Sequence, residues 1–179
     1  MRKLLPILII PVIAGCSTMR TAETGAVSEV VTADLARADG SWAGAVTISK
    51  RSDGVFLSLS GEATAPGAFG VHIHSVGKCQ APDFTSAGPH WNPGMKQHGR
   101  DNPMGSHGGD LPNIVAGTDK KLTLEYKLPD IMFEGPSGLL DADGAALVIH
   151  EKADDYITDP SGNSGKRIIC GVFKSGNRS

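Results

Sequence analysis

No stretch of this sequence is long and apolar enough to cross a bilayer as a helix. The longest apolar run, Leu4 to Ala14, has eleven residues, and a spanning helix needs about 20. No charge of one sign dominates. A formal net charge of −2, from 17 Lys and Arg against 19 Asp and Glu, gives no case for nucleic-acid binding. No segment carries a convincing helical periodicity of apolar residues. Cysteine is scarce, with three in 179 residues, so each one has to be accounted for. What is plentiful is glycine, at 23, with 11 prolines, which suits many turns and long ordered loops. An apolar fraction of 40% and a charged fraction of 20% describe a soluble globular domain, and the length allows one with a real hydrophobic core.

The first fifteen residues read as a secretory signal peptide rather than as part of the fold. Arg2 and Lys3 form a short positive region ahead of the apolar run. The run ends in Ile13-Ala14-Gly15-Cys16, which resembles the bacterial lipobox, whose cysteine is diacylated and becomes the new N-terminus. Ser17 at the next position resembles outer-membrane sorting. More than one acyl chain on Cys16 would give stable anchoring. The expected organisation is therefore a signal peptide over 1–15, lipidated Cys16 with a small, polar tether over 16–30, and one domain over 31–179. Cleavage removes two basic residues and no acidic ones, leaving 15 minus 19, a formal −4. With Cys16 committed to lipid, Cys79 and Cys170 remain as an even pair in an oxidising compartment, and a disulfide is the natural inference.

Beyond the tether the pattern has the period of strands. Thr32–Arg37 leads into a turn at Ala38-Asp39-Gly40, Trp42–Lys50 is β-branched, and Ser52-Asp53-Gly54 is a hairpin signal before Val55–Ser60. Phe69–Val76, Lys121–Leu128, Ala145–Glu151 and Ile168–Phe173 follow. Seven or eight short strands without helices predict an all-β fold, an antiparallel Greek-key sandwich or flattened barrel. Two long segments, 77–117 and 151–167, interrupt the rhythm, and loops of that length are usually functional.

The six histidines are His72, His74, His90, His98, His107 and His150. His72 and His74 stand at i and i+2 on a predicted strand, so both imidazoles face one side. Alone, that pair is a weak signal, and two exposed histidines on a strand are the default reading. The long loop adds His90, His98, His107 and Asp110, separated by seven, eight and two residues and interleaved with glycine and proline. Such a segment has too few apolar residues to fold on a core of its own. A metal ion could organise it, and three imidazoles with one carboxylate make a closed tetrahedral set suited to zinc. His150 ends the apolar strand Ala145–Ile149, where a core histidine is the plainer reading. Seven ligand-type residues fill two four-coordinate sites only if one imidazole is shared.

At this point a resemblance becomes specific. Val71-His72-Ile73-His74, Gly88-Pro89-His90-Trp91-Asn92-Pro93, Gln97-His98-Gly99, Ser106-His107-Gly108-Gly109-Asp110-Leu111-Pro112-Asn113, Val148-Ile149-His150-Glu151 and Gly162-Asn163-Ser164-Gly165-Lys166-Arg167-Ile168-Ile169-Cys170-Gly171 resemble the Cu/Zn superoxide dismutase family, over roughly residues 30 to 175. The resemblance implies one copper and one zinc ion per subunit. It assigns His72, His74, His90 and His150 to copper, with His90 bridging, and His90, His98, His107 and Asp110 to zinc. It pairs Cys79 with Cys170, makes Asp154 the carboxylate linking the far nitrogens of His72 and His98, and gives Arg167 the task of receiving superoxide. Without it, Asp154 and Arg167 would read as ordinary surface charges. Ser75 stands where the family commonly has an acid, a departure that removes no ligand. The implied activity is dismutation of superoxide to dioxygen and hydrogen peroxide by a redox-cycling copper, with His90 and Arg167 as catalytic residues. The expected role is protection of the cell envelope, from the periplasm, by a protein anchored through Cys16. Both a monomer and a homodimer fit the resemblance. The alternative is a non-catalytic copper-binding protein, which would need the histidines but neither Arg167 nor a shared His90.

Overall fold

The computed structural model describes residues 27–129 and 131–176. The expected signal peptide, the Cys16 anchor and most of the tether lie outside the described residues. The domain starts within the segment expected as tether. β1, Val27–Arg37, pairs from its first residue with β2, Trp42–Arg51, and Glu29, Val30 and Val31 face Lys50, Ser49 and Ile48.

The remaining strands are β3 (Gly54–Glu62), β4 (Gly67–Phe69), β5 (Val71–His74), β6 (Ile114–Ala116), β7 (Lys121–Leu128), β8 (Ala146–His150), β9 (Arg167–Val172) and β10 (Lys174–Ser175). The only helical turn among the described residues is a short 3-10 segment, Thr85–Ala87. One antiparallel sheet runs in the order β5-β8-β9-β1-β2-β3-β7, with β10 also on β1, and β4 pairs β6 separately. Neighbours that are distant in sequence, such as β9 beside β1, give the expected Greek-key character. Residues from every main strand, among them Leu35, Ile48, Leu57, Ile73, Leu122, Leu147 and Ile169, join a single buried cluster. The sheet therefore curls around one core, as alternation of apolar and polar positions along its strands requires.

Three features depart from the sequence pattern. The expected strand Phe69–Val76 breaks at Gly70, where the chain leaves the β6 pairing for the β8 pairing. The Gly70 amide donates to the Lys152 carbonyl at 2.7 Å and its carbonyl accepts from the His150 amide at 2.8 Å. A side chain there would press on Ser164. β6 lies inside the span 77–117 expected as loop. The segment between β7 and β8 contributes Ile131, Phe133 and Leu139 to the core and accepts the Trp91 indole N–H at Ser137 O, 3.1 Å away.

On the outer face of β8 and β9 a second, smaller cluster forms from Ala146, Val148 and Cys170 with Phe84, Ala87 and Cys79 of the overlying loop. The expected Cys79–Cys170 disulfide is present, its Cα atoms 5.7 Å apart, and pins that loop to β9. The two long loops thus cover the outer face of β5, β8 and β9, and the face they cover carries the histidines.

Candidate metal centre

β5 alternates. Val71 and Ile73 enter the main core, so His72 and His74 point to the outer face, where both are fully buried under the loops. β8 does the same, with Leu147 and Ile149 inward and His150 on the side of Ala146 and Val148. A β-bulge after Ile149 sets His150 opposite Arg167, passing over Ile168. Such a bulge re-aims side chains, and here it brings Arg167 beside the histidines. The loop carrying His90 is held by a bridge to His74 and by the Trp91 N–H donating to Ile73 O while the Trp91 carbonyl accepts the Gly109 N–H, both at 2.8 Å.

Two donor sets result. In the first, one ligand atom each from His72, His74, His90 and His150 lie within 4.8 Å of one another. The outer nitrogens of these rings are all engaged: His74 Nδ1 with Gly88 O at 2.8 Å, His150 Nδ1 with Gly165 O at 3.1 Å, His72 Nε2 with Asp154 Oδ2 at 2.7 Å, and His90 Nδ1 with Asp110 Oδ1 at 3.0 Å. The opposite nitrogens, His72 Nδ1 and the Nε2 atoms of His74, His90 and His150, are buried and have no hydrogen-bond partner. Buried polar atoms are normally paired, and four unpaired lone-pair donors converging on one point fit a metal ion.

In the second set, Asp110 Oδ1 lies 3.0 Å from His90 Nδ1, 3.0 Å from His98 Nδ1 and 3.1 Å from His107 Nδ1, and His107 Nδ1 lies 3.3 Å from His90 Nδ1. Such spacings are edges of a tetrahedron with its centre about 2 Å from each corner, the bond length of zinc to nitrogen or oxygen. The other carboxylate oxygen of Asp110 accepts the amides of Gly99 and His107, both at 3.0 Å, and fixes its aim. His72 also comes within 4.8 Å of His90, His98 and Asp110, but its Nε2 is taken by Asp154 and its Nδ1 serves the first set. His107, in direct contact with His90 and Asp110, is the fourth member.

His90 belongs to both sets through its two ring nitrogens. Asp154 spans them from behind, accepting from His72 Nε2 at 2.7 Å and His98 Nε2 at 3.0 Å. Only a glycine passes over it at 162, in the left-handed region with φ 63°, since a Cβ there would collide with Asp154 Oδ1.

The electrostatics agree with ligand duty. Burial pushes His74 down to about 2, His150 to about 3 and His90 to about 4, and it lowers His72 as well. These imidazoles stay neutral, each with a free lone pair. Burial opposes charge on Asp110 and Asp154 too, but the imidazole hydrogen bonds outweigh it and hold both well below the usual carboxylate range. For His98 burial is again outweighed, by the bonds to Asp110 and Asp154, and the ring is raised to about 9. The second set therefore favours positive charge at its centre.

Above the first set opens a cleft of about 450 Å³ lined by His74, His90, His150 and Arg167. Arg167 donates through its two terminal nitrogens to Phe84 O and Gly88 O, both at 2.8 Å. His72, His74, His90, His98, His107, His150, Asp110, Asp154 and Arg167 are thus gathered at one place, with the Cys79–Cys170 disulfide in the small apolar cluster on the same outer face and Cys16 outside the described residues. Sequence reasoning missed the backbone carbonyls of Phe84, Gly88 and Gly165, which leave no mark in side-chain identity.

A curled β-sheet with two adjoining donor sets and one imidazole in both defines a metalloprotein with room for two ions. Residues 42–173 match the family model for copper/zinc superoxide dismutase (SODC), and the chain belongs to that family. It is 44% identical over 162 residues to the superoxide dismutase-like protein YojM of Bacillus subtilis, covering 88% of this chain and 82% of the relative. It is 42% identical over 147 residues to a Cu-Zn superoxide dismutase of Caulobacter vibrioides, covering 80% and 84%. The crystal structure of a SOD-like protein from Bacillus subtilis superposes with a TM-score of 0.75 at 42% identity, over 82% of this chain and 99% of that one.

Proposed function

We propose that the protein is a superoxide dismutase that binds one copper and one zinc ion per chain, copper at His72, His74, His90 and His150 and zinc at His90, His98, His107 and Asp110. The observation that carries this reading is His90, with one ring nitrogen in each donor set beside a cleft that holds Arg167. Bound there, copper supplies a one-electron couple and zinc a Lewis acid without redox chemistry of its own.

The chain's own residues do the rest. Arg167, held by two carbonyls, offers a fixed positive charge to a small anion entering the cleft. His90 Nε2 takes up a proton in one half of the cycle and returns it in the other. Asp154 and the carbonyls of Gly88 and Gly165 hold the tautomers that keep lone pairs on the ligand atoms. In sum, one superoxide gives up an electron and leaves as dioxygen. A second takes that electron with two protons and leaves as hydrogen peroxide. A protein that merely binds or carries copper would need the histidines but no imidazole common to both sets and no anchored guanidinium in the cleft.

The test is superoxide removal by protein reconstituted with both metals, alongside His90→Ala. Activity is expected with copper and zinc together, and His90→Ala should disturb both metals. A reconstituted protein that holds copper without dismuting superoxide is a metal-binding protein, and a native copper spectrum in His90→Ala refutes the shared imidazole. We place the protein in the periplasm, anchored through diacylated Cys16 to the outer membrane, where it would protect the envelope. The lipobox-like Ile13–Cys16 and the Cys79–Cys170 disulfide, a bond of oxidising compartments, support that placement.

A further inference from the structure

Asp154 can orient two imidazoles only if its own position is fixed. Its backbone is clamped by Asn113, whose side-chain amide donates to Asp154 O at 2.9 Å while Asn113 Oδ1 accepts the Asp154 amide at 2.8 Å. Asn113 is in turn held by Tyr156, whose phenol oxygen accepts the Asn113 backbone N–H at 2.7 Å. The Tyr156 amide closes the ring, donating to Asp154 Oδ1 at 2.6 Å. Tyr156 itself adopts the left-handed region, φ 65°, where a bulky residue persists only if its surroundings hold it.

Those surroundings belong to the loop of His98. The Arg100 guanidinium lies 3.8 Å from the centre of the Tyr156 ring. The Tyr156 carbonyl accepts the Asp101 amide at 3.0 Å, and Gly99 packs so close to that carbonyl that a Cβ would lie 2.1 Å from it. Residues 99 to 101 are therefore fastened to Tyr156 immediately after His98, while the other side of Tyr156 governs the carboxylate that His98 Nε2 touches.

We propose that Tyr156, gripped by Arg100, is a positioning residue for the second donor set: it fixes where His98 Nδ1 stands relative to His90, His107 and Asp110, and so how long that set retains its metal. The proposal rests on the reading of this set as the zinc site. Tyr156→Phe keeps the ring and its cation–π contact but removes the acceptor of the Asn113 amide. Arg100→Ala removes the contact, and its side chain is 56% exposed, so the fold survives the change.

The experiment loads copper-containing protein with cobalt at the second set and follows the cobalt absorption, and in a parallel zinc-loaded sample measures release of zinc to a chelator. Tyr156→Phe should release zinc roughly tenfold faster, the scale seen when outer partners of metal ligands are removed. Arg100→Ala should do so roughly two- to fivefold, and Arg100→Lys should recover part of the loss. In a Tyr156→Leu background Arg100→Ala should add nothing further. Zinc release at the wild-type rate in Tyr156→Phe and Arg100→Ala, or full additivity of Arg100→Ala with Tyr156→Leu, overturns the proposal alone. A wild-type protein that takes up no cobalt overturns the zinc reading, and the proposal with it.

Discussion

Replacing Cys79 and Cys170 together by serine tests how much of the domain's order hangs on one covalent bond. The two cysteines are 91 residues apart, and the bridged segment includes β6, β7, β8 and most of both long loops. Closing a loop of that size removes denatured-chain entropy equivalent to about 4.6 kcal/mol at 25 °C. For a domain of this size each kcal/mol moves the melting temperature by about 2–4 °C, so the double variant should melt roughly 9–18 °C lower. The native side of the ledger adds a functional consequence. The bond fixes the loop whose carbonyls at Phe84 and Gly88 hold Arg167, and Gly88 O also accepts from His74 Nδ1. Loss of the bond should therefore loosen Arg167 and one ligand together. The assay is calorimetry of chelated wild-type and double-variant protein, followed by superoxide removal after metal loading. A melting temperature within about 3 °C of wild type refutes the loop-closure argument. Unchanged activity refutes the link to Arg167.

Further predictions follow from the same geometry. Asp154→Asn keeps the shape but leaves one acceptor for two imidazoles, so zinc affinity, read by chelator competition, should fall about 10- to 100-fold; wild-type affinity would remove Asp154 from the design. Arg167→Ala should slow dismutation with both metals retained, Arg167→Glu should slow it more, and Lys should fall between wild type and Ala. Rising salt should slow the wild type, since the screening length shrinks from about 10 Å at 0.1 M to 3 Å at 1 M; a Glu variant as fast as wild type at low salt makes Arg167 a bystander. The chelated protein should be most stable near pH 6.5. Below that value the unfolded chain protonates while burial keeps His74, His150 and His90 neutral to about 2, 3 and 4, so stability falls by up to about 4 kcal/mol per pH unit near pH 5. His98, raised to about 9, contributes fully below pH 6.5 and loses its contribution as pH rises through 9. Urea midpoints that stay flat between pH 6.5 and 4.5 contradict this. Mass spectrometry of protein from membranes should find diacylglycerol on Cys16, and a different mature N-terminus would end the anchor reading.

The loop donors His90, His98, His107 and Asp110 were legible because their spacing in a glycine-rich loop has no plausible packing role, whereas His72, His74 and His150, on strands, read as ligands only through the family resemblance. The strands were legible wherever one face meets the core, as in Val55–Ser60. Other features depend on distant partners. Gly70 looks like any strand glycine until β4 and β5 are seen to pair with different neighbours. The bulge at Ile149 exists only in the register of β8 against β9. Asn113 was visible within a motif, but its grip on the backbone of Asp154 spans 41 residues. Tyr156 gave no signal at all, because a phenol that accepts a backbone N–H looks in sequence like any half-buried aromatic.

β1 has a bearing on orientation. Its first residue, Val27, sits beside Arg51 at the turn between β2 and β3, and its last, Arg37, pairs with Ile169 next to the start of β9. At about 3.3 Å per residue, its eleven residues separate those ends by up to about 33 Å along the strand. The polypeptide preceding Val27 therefore joins the domain at the pole opposite Arg167 and the histidines. Whatever is joined to the chain ahead of Val27 is therefore attached up to about 33 Å from the mouth of the cleft, and the attachment point itself does not obstruct the approach of a small anion to Arg167.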